Sequence, residues 1–378
     1  MSLLAPAPHR TDRRRPERGV TRLGEAAYRP PMASPPGEQT MTALTATPDT
    51  APRPPVTAGD VAELLEPLRR EILAHCYRMT GSVHDAEDLV QETYLRAWRA
   101  FHGFENRSSL RTWVFRIATN ACLTHLEGRK RRPLPTGLGQ PAADPRDQPL
   151  PETGVSWLEP MPDDLLWSQG QPDPATQAVS RDSVRLAFIA ALQHLNARQR
   201  AVVLLRDVLA WRAREVAEAL DMTVAGVNST LQRARVKLAE IDPDVPPELP
   251  DDARHRQLLR DYLAAFEAYD VAAIVDLLAA DVVWDMPPFP GWYRGAEQVG
   301  TLISTWCPAN RAGDMRLLPT SANGQPVMAV YMREADGVHR AFHLQHLTPG
   351  RSGVDRVTAF FSPELFARFG LPPELPPR

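Results

Sequence analysis

Arg214-Glu215-Val216-Ala217-Glu218-Ala219-Leu220, then Asp221-Met222-Thr223, then Val224 through Leu238, is the stretch on which the reading of this 378-residue chain turns. The first segment spaces its apolar residues as a short helix, with small Ala217 where a second helix would cross. Asp221-Met222-Thr223 is a tight turn, and Thr223 is suited to cap the next helix. In that helix Val224, Val227, Leu231, Ala234 and Leu238 recur at three- and four-residue steps and share one face. The opposite face carries Asn228, Ser229, Gln232, Arg233, Arg235 and Lys237. One helix packed from behind with a polar side free to enter a major groove is the logic of a helix-turn-helix. Gln and Arg make paired contacts to base edges, and Arg and Lys hold phosphates. Thr223, Ala225, Asn228, Ser229, Gln232, Arg233 and Arg235 are the expected DNA-facing set. An ordinary amphipathic helix pair with a solvated face is the competing reading of this segment alone.

Upstream of this unit, Asn196 with Gln199 three residues on forms a variant capping box that opens a helix through Leu209, preceded by a helix over Val184 to Leu195. Residues 133–179 are a Pro-rich connector whose charges are nearly all acidic (Asp144, Asp147, Glu152, Glu159, Asp163, Asp164 and Asp173), and its length predicts a separator between domains. Before it come three helical patterns. The first runs from Val61 to Met79 and is stopped by Gly81-Ser82. The second spans about Val83–Phe101 and the third Leu110–Leu126. The second opens with Asp85, Glu87, Asp88 and Glu92, a placement that also suits the helix dipole. The third and its surroundings are basic and aromatic: Arg107, Arg111, Trp113, Phe115, Arg116, then Arg129-Lys130-Arg131-Arg132. Arg interleaved with aromatics suits single-stranded nucleic acid, whose bases stack and whose phosphates need cations. An acidic and a basic face on one small domain imply two partners, a basic protein surface and a nucleic acid.

Bulk properties narrow the field further. With 43% hydrophobic and 24% charged residues the composition is that of a globular protein. A net charge of −3 argues against a general polyanion binder, so local patches must carry any contact with DNA. The 38 Pro residues, about twice the usual share of roughly 5%, cluster in linkers. Residues 1–57 have no hydrophobic period and read as a disordered Pro/Arg-rich tail, in which Arg13-Arg14-Arg15 is either a solvated run or a contact to nucleic acid. Met32 and Met41 offer alternative starts. Cys76, Cys122 and Cys307 have no metal-ligand spacing and read as buried reduced thiols. No cofactor or metal is expected. No segment has the length of a membrane span or the pattern of a signal peptide, so the expected compartment is the cytoplasm.

The run Asp85-Ala86-Glu87-Asp88-Leu89-Val90-Gln91-Glu92-Thr93-Tyr94-Leu95-Arg96-Ala97-Trp98 resembles region 2.2 of the extracytoplasmic-function (ECF) sigma factors of RNA polymerase. Leu110-Arg111-Thr112-Trp113-Val114-Phe115-Arg116-Ile117-Ala118-Thr119-Asn120 resembles their regions 2.3 and 2.4, and Leu195 through Leu238 resembles region 4. The resemblance implies sigma domain 2 over 60–132, the connector over 133–179 and sigma domain 4 over 180–241, with a second linker over 242–252. It implies that Asp85, Glu87, Asp88, Gln91 and Glu92 dock on the β′ clamp helices of core RNA polymerase. Arg107, Arg111, Trp113, Asn120, Arg129, Lys130 and Arg131 would melt and read the −10 promoter element. The helix-turn-helix, set near the β flap, would read the −35 duplex, and the acidic linker would pass through the RNA-exit region. Asn228 and Thr230 stand where many relatives carry Lys and Arg, and Asp221 stands where Gly is usual. Asp tolerates a left-handed backbone, so the turn survives.

Residues 253–370 change character: two helices, a strand near Val282–Met286, a Pro/Gly/aromatic turn, a helix near Ala296–Trp306, and four strand patterns read as an antiparallel run. This segment resembles the SnoaL-like branch of the NTF2-like fold, through Arg260 to Asp270, Asp281 to Pro288 and Phe289 to Gly295. The expected fold is therefore multidomain, two all-α sigma domains followed by an α+β cone. Such cones enclose a pocket, here assigned to Trp284, Asp285, Trp292, Tyr293, Tyr331 and His346. Phe342, Leu344 and His346 alternate with His343 and Gln345, so the two histidines are expected on opposite faces. Catalysis by an Asp or His base, a vestigial plugged cavity, and regulation by packing on the sigma domains with a small-molecule ligand as a further partner all fit the sequence. Regulation is the favoured one. An autonomous helix-turn-helix regulator and a targeted enzyme are the alternative classes for the whole chain.

Overall fold

A break at Pro67 divides the first predicted helix. Pro lacks the N–H that an uninterrupted helix would use. In the computed structural model, which describes residues 57–104, 108–167, 183–241 and 253–377, helix α1 (Ala58–Leu65) passes through a short 3₁₀ turn into α2 (Arg69–Thr80). Thr57 and Asp60 form a capping box at the start of α1. The tail read over 1–57 otherwise lies outside the described residues, as does the linker read over 242–252. Gly81 ends α2 at φ 72°, a left-handed cap that favours glycine. Ser82 caps α3 (Val83–Ala100), and Ser109 caps α4 (Leu110–Leu126). The three long helices bury Ile72, Cys76, Met79, Leu89, Val90, Val114, Phe115 and Ala118 against one another. Cys76 and Cys122, 46 positions apart in the chain, meet here thiol to thiol, and that contact, with burial, raises Cys76 well above the usual thiol range.

The helix-turn-helix unit comprises α6 (Leu186–Leu192), α7 (Ala197–Val203), α8 (Ala213–Leu220) and α9 (Val224–Ile241). α5 (Asp163–Leu166) is a single turn in the connector. The Asn196/Gln199 capping box opens α7, which widens into a π turn over Leu204–Val208 rather than continuing as α-helix. Asp221 takes the left-handed cap at φ 51°. Thr223 Oγ1 accepts from Gly226 N at 3.0 Å to start α9. Val227, Leu231 and Ala234 face inward as the periodicity requires and Leu238 is half-buried, but Val224, in the first turn of the helix, is exposed.

In the C-terminal region α10 (Ala253–Ala268), α11 (Val271–Leu277) and α12 (Ala296–Trp306) lie against a curved sheet. Its strands are β1 (Leu278–Asp285), β2 (Trp292–Arg294), β3 (Met315–Ala322), β4 (Gln325–Arg333), β5 (His339–Pro349) and β6 (Val354–Phe360). The order is β2-β1-β6-β5-β4-β3, with short β7 (Glu374–Leu375) added beside β5. The four closing strands β3 to β6 pair antiparallel as read, while β1 joins β6 in parallel, with the whole β2-to-β5 excursion as the crossover. One face of the sheet encloses an apolar core with the three helices. The other face, with Val327, Ala329, Tyr331, Leu344 and Phe360, joins a second core shared with the sigma-like helices.

The connector is not a structureless separator. Over residues 133–167 it is an extended strap that pairs its backbone with its neighbours. Thr136 N donates to Asp285 Oδ1 at 3.0 Å, Trp292 Nε1 to Gln140 O at 2.9 Å, and Ala143 N to Trp292 O at 2.8 Å. Trp306 Nε1 donates to Pro145 O at 3.0 Å, and Glu152 N to Pro288 O at 2.9 Å. The chain then returns to the first helices. Glu159 Oε2 accepts from Ser82 Oγ and Val83 N at 3.0 and 2.9 Å, so a strap carboxylate sits on the N-terminus of α3. α13 (Leu365–Arg368) closes the C-terminal region against α3.

Candidate functional site

The outward side of α9 presents Asn228, Ser229, Gln232, Arg233 and Arg235 as one exposed polar strip, with Thr223 and Ala225 exposed at its start. Its buried side is held by α6, α7 and α8 of the same helix-turn-helix unit. Arg235 is engaged with Asp207, donating Nη2 to Oδ1 at 2.6 Å and Nε to Oδ2 at 3.1 Å. That pair sets the angle of the guanidinium at the edge of the strip. Thr230 is buried beside Leu231, so it belongs to the packing and not to the reading face.

The acidic helix is less free. Asp85 is buried and holds Arg132 (2.8 Å), His125 (3.3 Å) and Arg129 (3.8 Å). Burial alone would push its carboxyl up, but Arg132 and His125 outweigh that and keep it below the ordinary carboxylate value. It therefore ties α3 to the end of α4 and is occupied within the chain. Glu87 pairs with Arg368 of α13, whose Nη2 also meets His84 Nδ1 at 3.2 Å. Asp88 and Gln91 remain exposed, and Glu92 pairs along the helix with Arg96 at 2.6 Å.

On α4, Trp113 is 6% exposed and stacks at 4.8 Å from Phe104 and edge-on at 6.2 Å from Phe101. It packs the domain and offers no open ring for a base. Arg111 lies over the Phe115 ring at 4.9 Å and pairs with Glu71 at 2.8 Å. Asn120, Arg129 and Lys130 are exposed. Arg131 donates to Gly137 O at 2.7 Å and meets His194 Nδ1 at 2.9 Å, joining the strap to the helix-turn-helix unit. Arg107 lies outside the described residues.

Two buried arginines and one asparagine hold these pieces together, and sequence reasoning singled out none of them. Arg200 of α7 donates Nε to Leu192 O at 3.0 Å, Nη2 to Leu195 O at 3.2 Å, and Nη1 to Met79 O of α2. Arg78 of α2 donates to Ser183 O and Oγ at 3.0 and 2.7 Å. Burial lowers both guanidinium pKa values to about 10, so both stay charged at neutral pH. Asn323 sits at φ 57° in the Asn-Gly turn between β3 and β4, a left-handed position that Asn accepts and most residues resist. Its Nδ2 donates to Tyr77 OH at 2.9 Å and to Val184 O at 2.6 Å, while its Oδ1 accepts from Met161 N at 2.9 Å. One fully buried side chain thus joins α2, the strap and the start of the helix-turn-helix unit. The Asn-Gly hairpin signal was legible; the partners of its tip were not.

The C-terminal cone holds a cavity of about 310 Å³. Of the six residues assigned to it from sequence, Trp284 lines it and the others serve elsewhere. Asp285 is fully buried, bonded to Arg356 and the strap. Trp292 also holds the strap, and Tyr293 is buried in the helix-backed core. Tyr331 donates to Pro372 O at 2.9 Å and stacks on Phe366. His346 shares the strand face of Leu344, which points into the core common to the helices. His343 and Gln345 are the residues that face the cavity. Phe342 joins them because the β4–β5 register slips there: Tyr331 pairs with Ala341 and Val330 with His343, leaving Phe342 bulged. Among the described residues no group of three or more His, Cys, Asp or Glu is placed to hold a metal ion. No described helix is long and apolar enough to cross a membrane.

Comparison with known proteins matches these parts in turn. The family model for Sigma-70 region 2 matches residues 64–132, Sigma-70 region 4 matches 185–238, and the SnoaL-like domain matches 259–364. The chain is 56% identical over 319 residues to the ECF RNA polymerase sigma factor SigG of Mycobacterium tuberculosis (strain ATCC 25618 / H37Rv), covering 84% of this chain and 85% of that one. It is 30% identical over 220 residues to SigJ of the same strain, covering 58% of this chain and 62% of SigJ. The crystal structure of Mycobacterium tuberculosis SigJ superposes with a TM-score of 0.52 at 24% identity, over 82% of this chain and 99% of that one, which supports the shared fold.

Proposed function

Because the chain belongs to the ECF sigma factors of RNA polymerase, we propose that its compact arrangement is a self-restrained form, held by the C-terminal domain and the strap. Members of the family bind core polymerase and direct promoter recognition and initiation, and a sigma factor is not itself an enzyme. The observation that carries the proposal is the shared core between the two promoter-reading units, with Arg200 of one buried on the Met79 carbonyl of the other. Promoter elements centred at −10 and −35 lie roughly 25 base pairs apart, about 85 Å at 3.4 Å per step. Two units in direct contact do not span that distance, so engagement of both elements requires that Arg78, Arg200 and Asn323 let go.

Within this reading residues 60–132, 180–241 and 253–370 are the three working parts, acting in the cytoplasm with polymerase and DNA. Glu87, Asp88, Gln91 and Glu92 are the docking face for the polymerase clamp, while Asp85 keeps α3 aligned with α4. Arg107, Arg111, Asn120, Arg129, Lys130 and Arg131 serve the melted −10 strand, and Trp113 supports them from beneath. Thr223, Ala225, Asn228, Ser229, Gln232, Arg233 and Arg235 read the −35 duplex. Arg368 competes with polymerase for Glu87.

The pair between Arg368 and Glu87 is partly exposed, worth roughly 0.2–1 kcal/mol, so its loss alone changes core binding up to about fivefold. Arg368→Glu adds like-charge repulsion and goes further. Core polymerase binding and runoff transcription, full chain against R368E, test this: R368E binds core about fivefold tighter or more. Equal binding by the two proteins would overturn the restraint reading.

A further inference from the structure

Asp207 stands where α7 has widened into the π turn, a distortion that recurs at functional sites. The backbone that carries it is tied down around it. Leu209 N donates to Leu204 O and Trp211 N to Leu205 O, each at 2.9 Å, and the neighbouring Arg206 donates Nη1 to Trp211 O. From this fixed stand the carboxylate reaches α9, 28 positions further along the chain. Oδ1 accepts from Arg235 Nη2 at 2.6 Å and Oδ2 from Nε at 3.1 Å. The side chains of Arg235 and Asp207 are 61% and 31% exposed. A pair so open to water adds little to stability. What it does is orient the guanidinium.

A guanidinium carries five N–H groups. Asp207 takes one on Nε and one on Nη2. Those left on Nη1 and Nη2 form the outer end of the fork, a shape that grips a phosphate with two parallel bonds. Recognition helices put their N-terminal residues on base edges. Arg235 lies ten residues beyond Ala225, about 15 Å along the helix axis, whereas the major groove is about 12 Å wide. With Ala225, Asn228 and Gln232 over the bases, the Arg235 guanidinium arrives at the groove wall, where the phosphates run.

We propose that Asp207 is a positioning residue for promoter binding: it holds Arg235 side-on, so that the free end of the guanidinium meets one backbone phosphate of the −35 duplex and fixes the register of α9 in the groove. The inference rests on α9 reading the −35 duplex. An arginine held in its bound pose before contact loses less freedom on the DNA. The phosphate contact carries no sequence information itself, but it sets which base edges Asn228 and Gln232 meet. Asp207 also brings a negative charge near DNA, so electrostatics alone predicts that its removal strengthens binding. Positioning predicts the reverse.

The test uses the full chain bound to core polymerase and a −35 duplex that this holoenzyme selects from a randomised pool. Each phosphate of the duplex is replaced in turn by an uncharged methylphosphonate. One replacement weakens wild-type binding at least about threefold, and Arg235→Ala is blind to that replacement to within about 1.5-fold. Asp207→Asn, nearly isosteric, binds the unmodified duplex about two- to tenfold more weakly. It responds less than wild type to that one replacement and equally to all others. Asp207→Glu keeps the carboxylate and recovers most of both effects. Tighter binding by Asp207→Asn, or a loss spread evenly over all phosphates, would overturn the positioning role. If Asp207→Asn does not fold, Arg235→Lys carries the same test, because it keeps the charge and lacks the fork. A full wild-type response by Arg235→Lys at that phosphate overturns the proposal. If the wild-type holoenzyme selects no duplex, the −35 reading fails and this inference with it. If it selects one and no phosphate separates Arg235→Ala from wild type, the −35 reading stands and the positioning role falls.

Discussion

The α9 strip and the α3–α4 faces are both surfaces that carry expected partner contacts, yet the chain treats them differently. Every expected contact residue on α9 is exposed, and the strip leans on its own small scaffold. On α3 and α4 Asp88, Gln91, Asn120 and Lys130 are exposed too, but others are engaged with more distant parts of the chain: Asp85 with Arg132 and His125, Glu87 with Arg368, Arg111 with Glu71, and Trp113 in an aromatic cluster, where the strip has only the Arg235–Asp207 pair. A helix-turn-helix needs only a packed back and a polar front, so its contact face can stay open. A domain that must bind both a protein and DNA carries charges and rings that also find partners inside the chain. On the proposed restraint, control by the attached domain acts where such partners exist, on domain 2 and on the joint between the two units.

The sharpest way to break this contrast is Trp113→Ala. As a buried ring packed on Phe101 and Phe104, its loss costs about 3–5 kcal/mol of stability, read as a lowered denaturation midpoint of the full chain. Unchanged stability with a defect only in open-complex formation would return Trp113 to the DNA and erase the difference between the surfaces. Asn323→Gly comes next, since glycine keeps the left-handed backbone and removes only the side chain. Leaving Met161 N and Val184 O without their buried partner costs about 2–3 kcal/mol. The expected signs are a lower midpoint, a larger radius of gyration by small-angle scattering, and tighter core binding. A more stable or unchanged compact form would show that the joint is held elsewhere. Gln232→Ala has the smallest effect: about 1–2 kcal/mol in binding of −35 duplex by the polymerase-bound chain, with stability unchanged to within about 0.5 kcal/mol. A stability loss instead would mean that the open strip is also structural.

Elements held by local chemistry were legible in the sequence. The α9 face, the Asn196/Gln199 box, the starts of α3 at Val83 and α4 at Leu110 and the left-handed Asp221 all stem from residues within a turn of one another. The single first helix was not, because a Pro67 break inside an apolar period reads as continuous until the N–H is counted. The cavity assignment failed for a related reason. Strand alternation placed His346 and His343 on opposite faces, but which face meets the cavity depends on the bulge at Phe342 and on what covers the other side. Asp285 and Trp292 looked like pocket residues because buried acids and aromatics often are; here the strap takes their hydrogen bonds.

What the sequence determined by itself is the set of working parts: a helix-turn-helix, an acidic and basic helical domain, and an α+β cone, each written in a period or motif a few residues long. What only the tertiary structure decided is which of their surfaces are free. Arg200 on Met79, Asn323 on Tyr77 and Arg368 on Glu87 join residues between 121 and 281 positions apart. No local pattern encodes such a pairing, because its partners are chosen by the packing of whole domains.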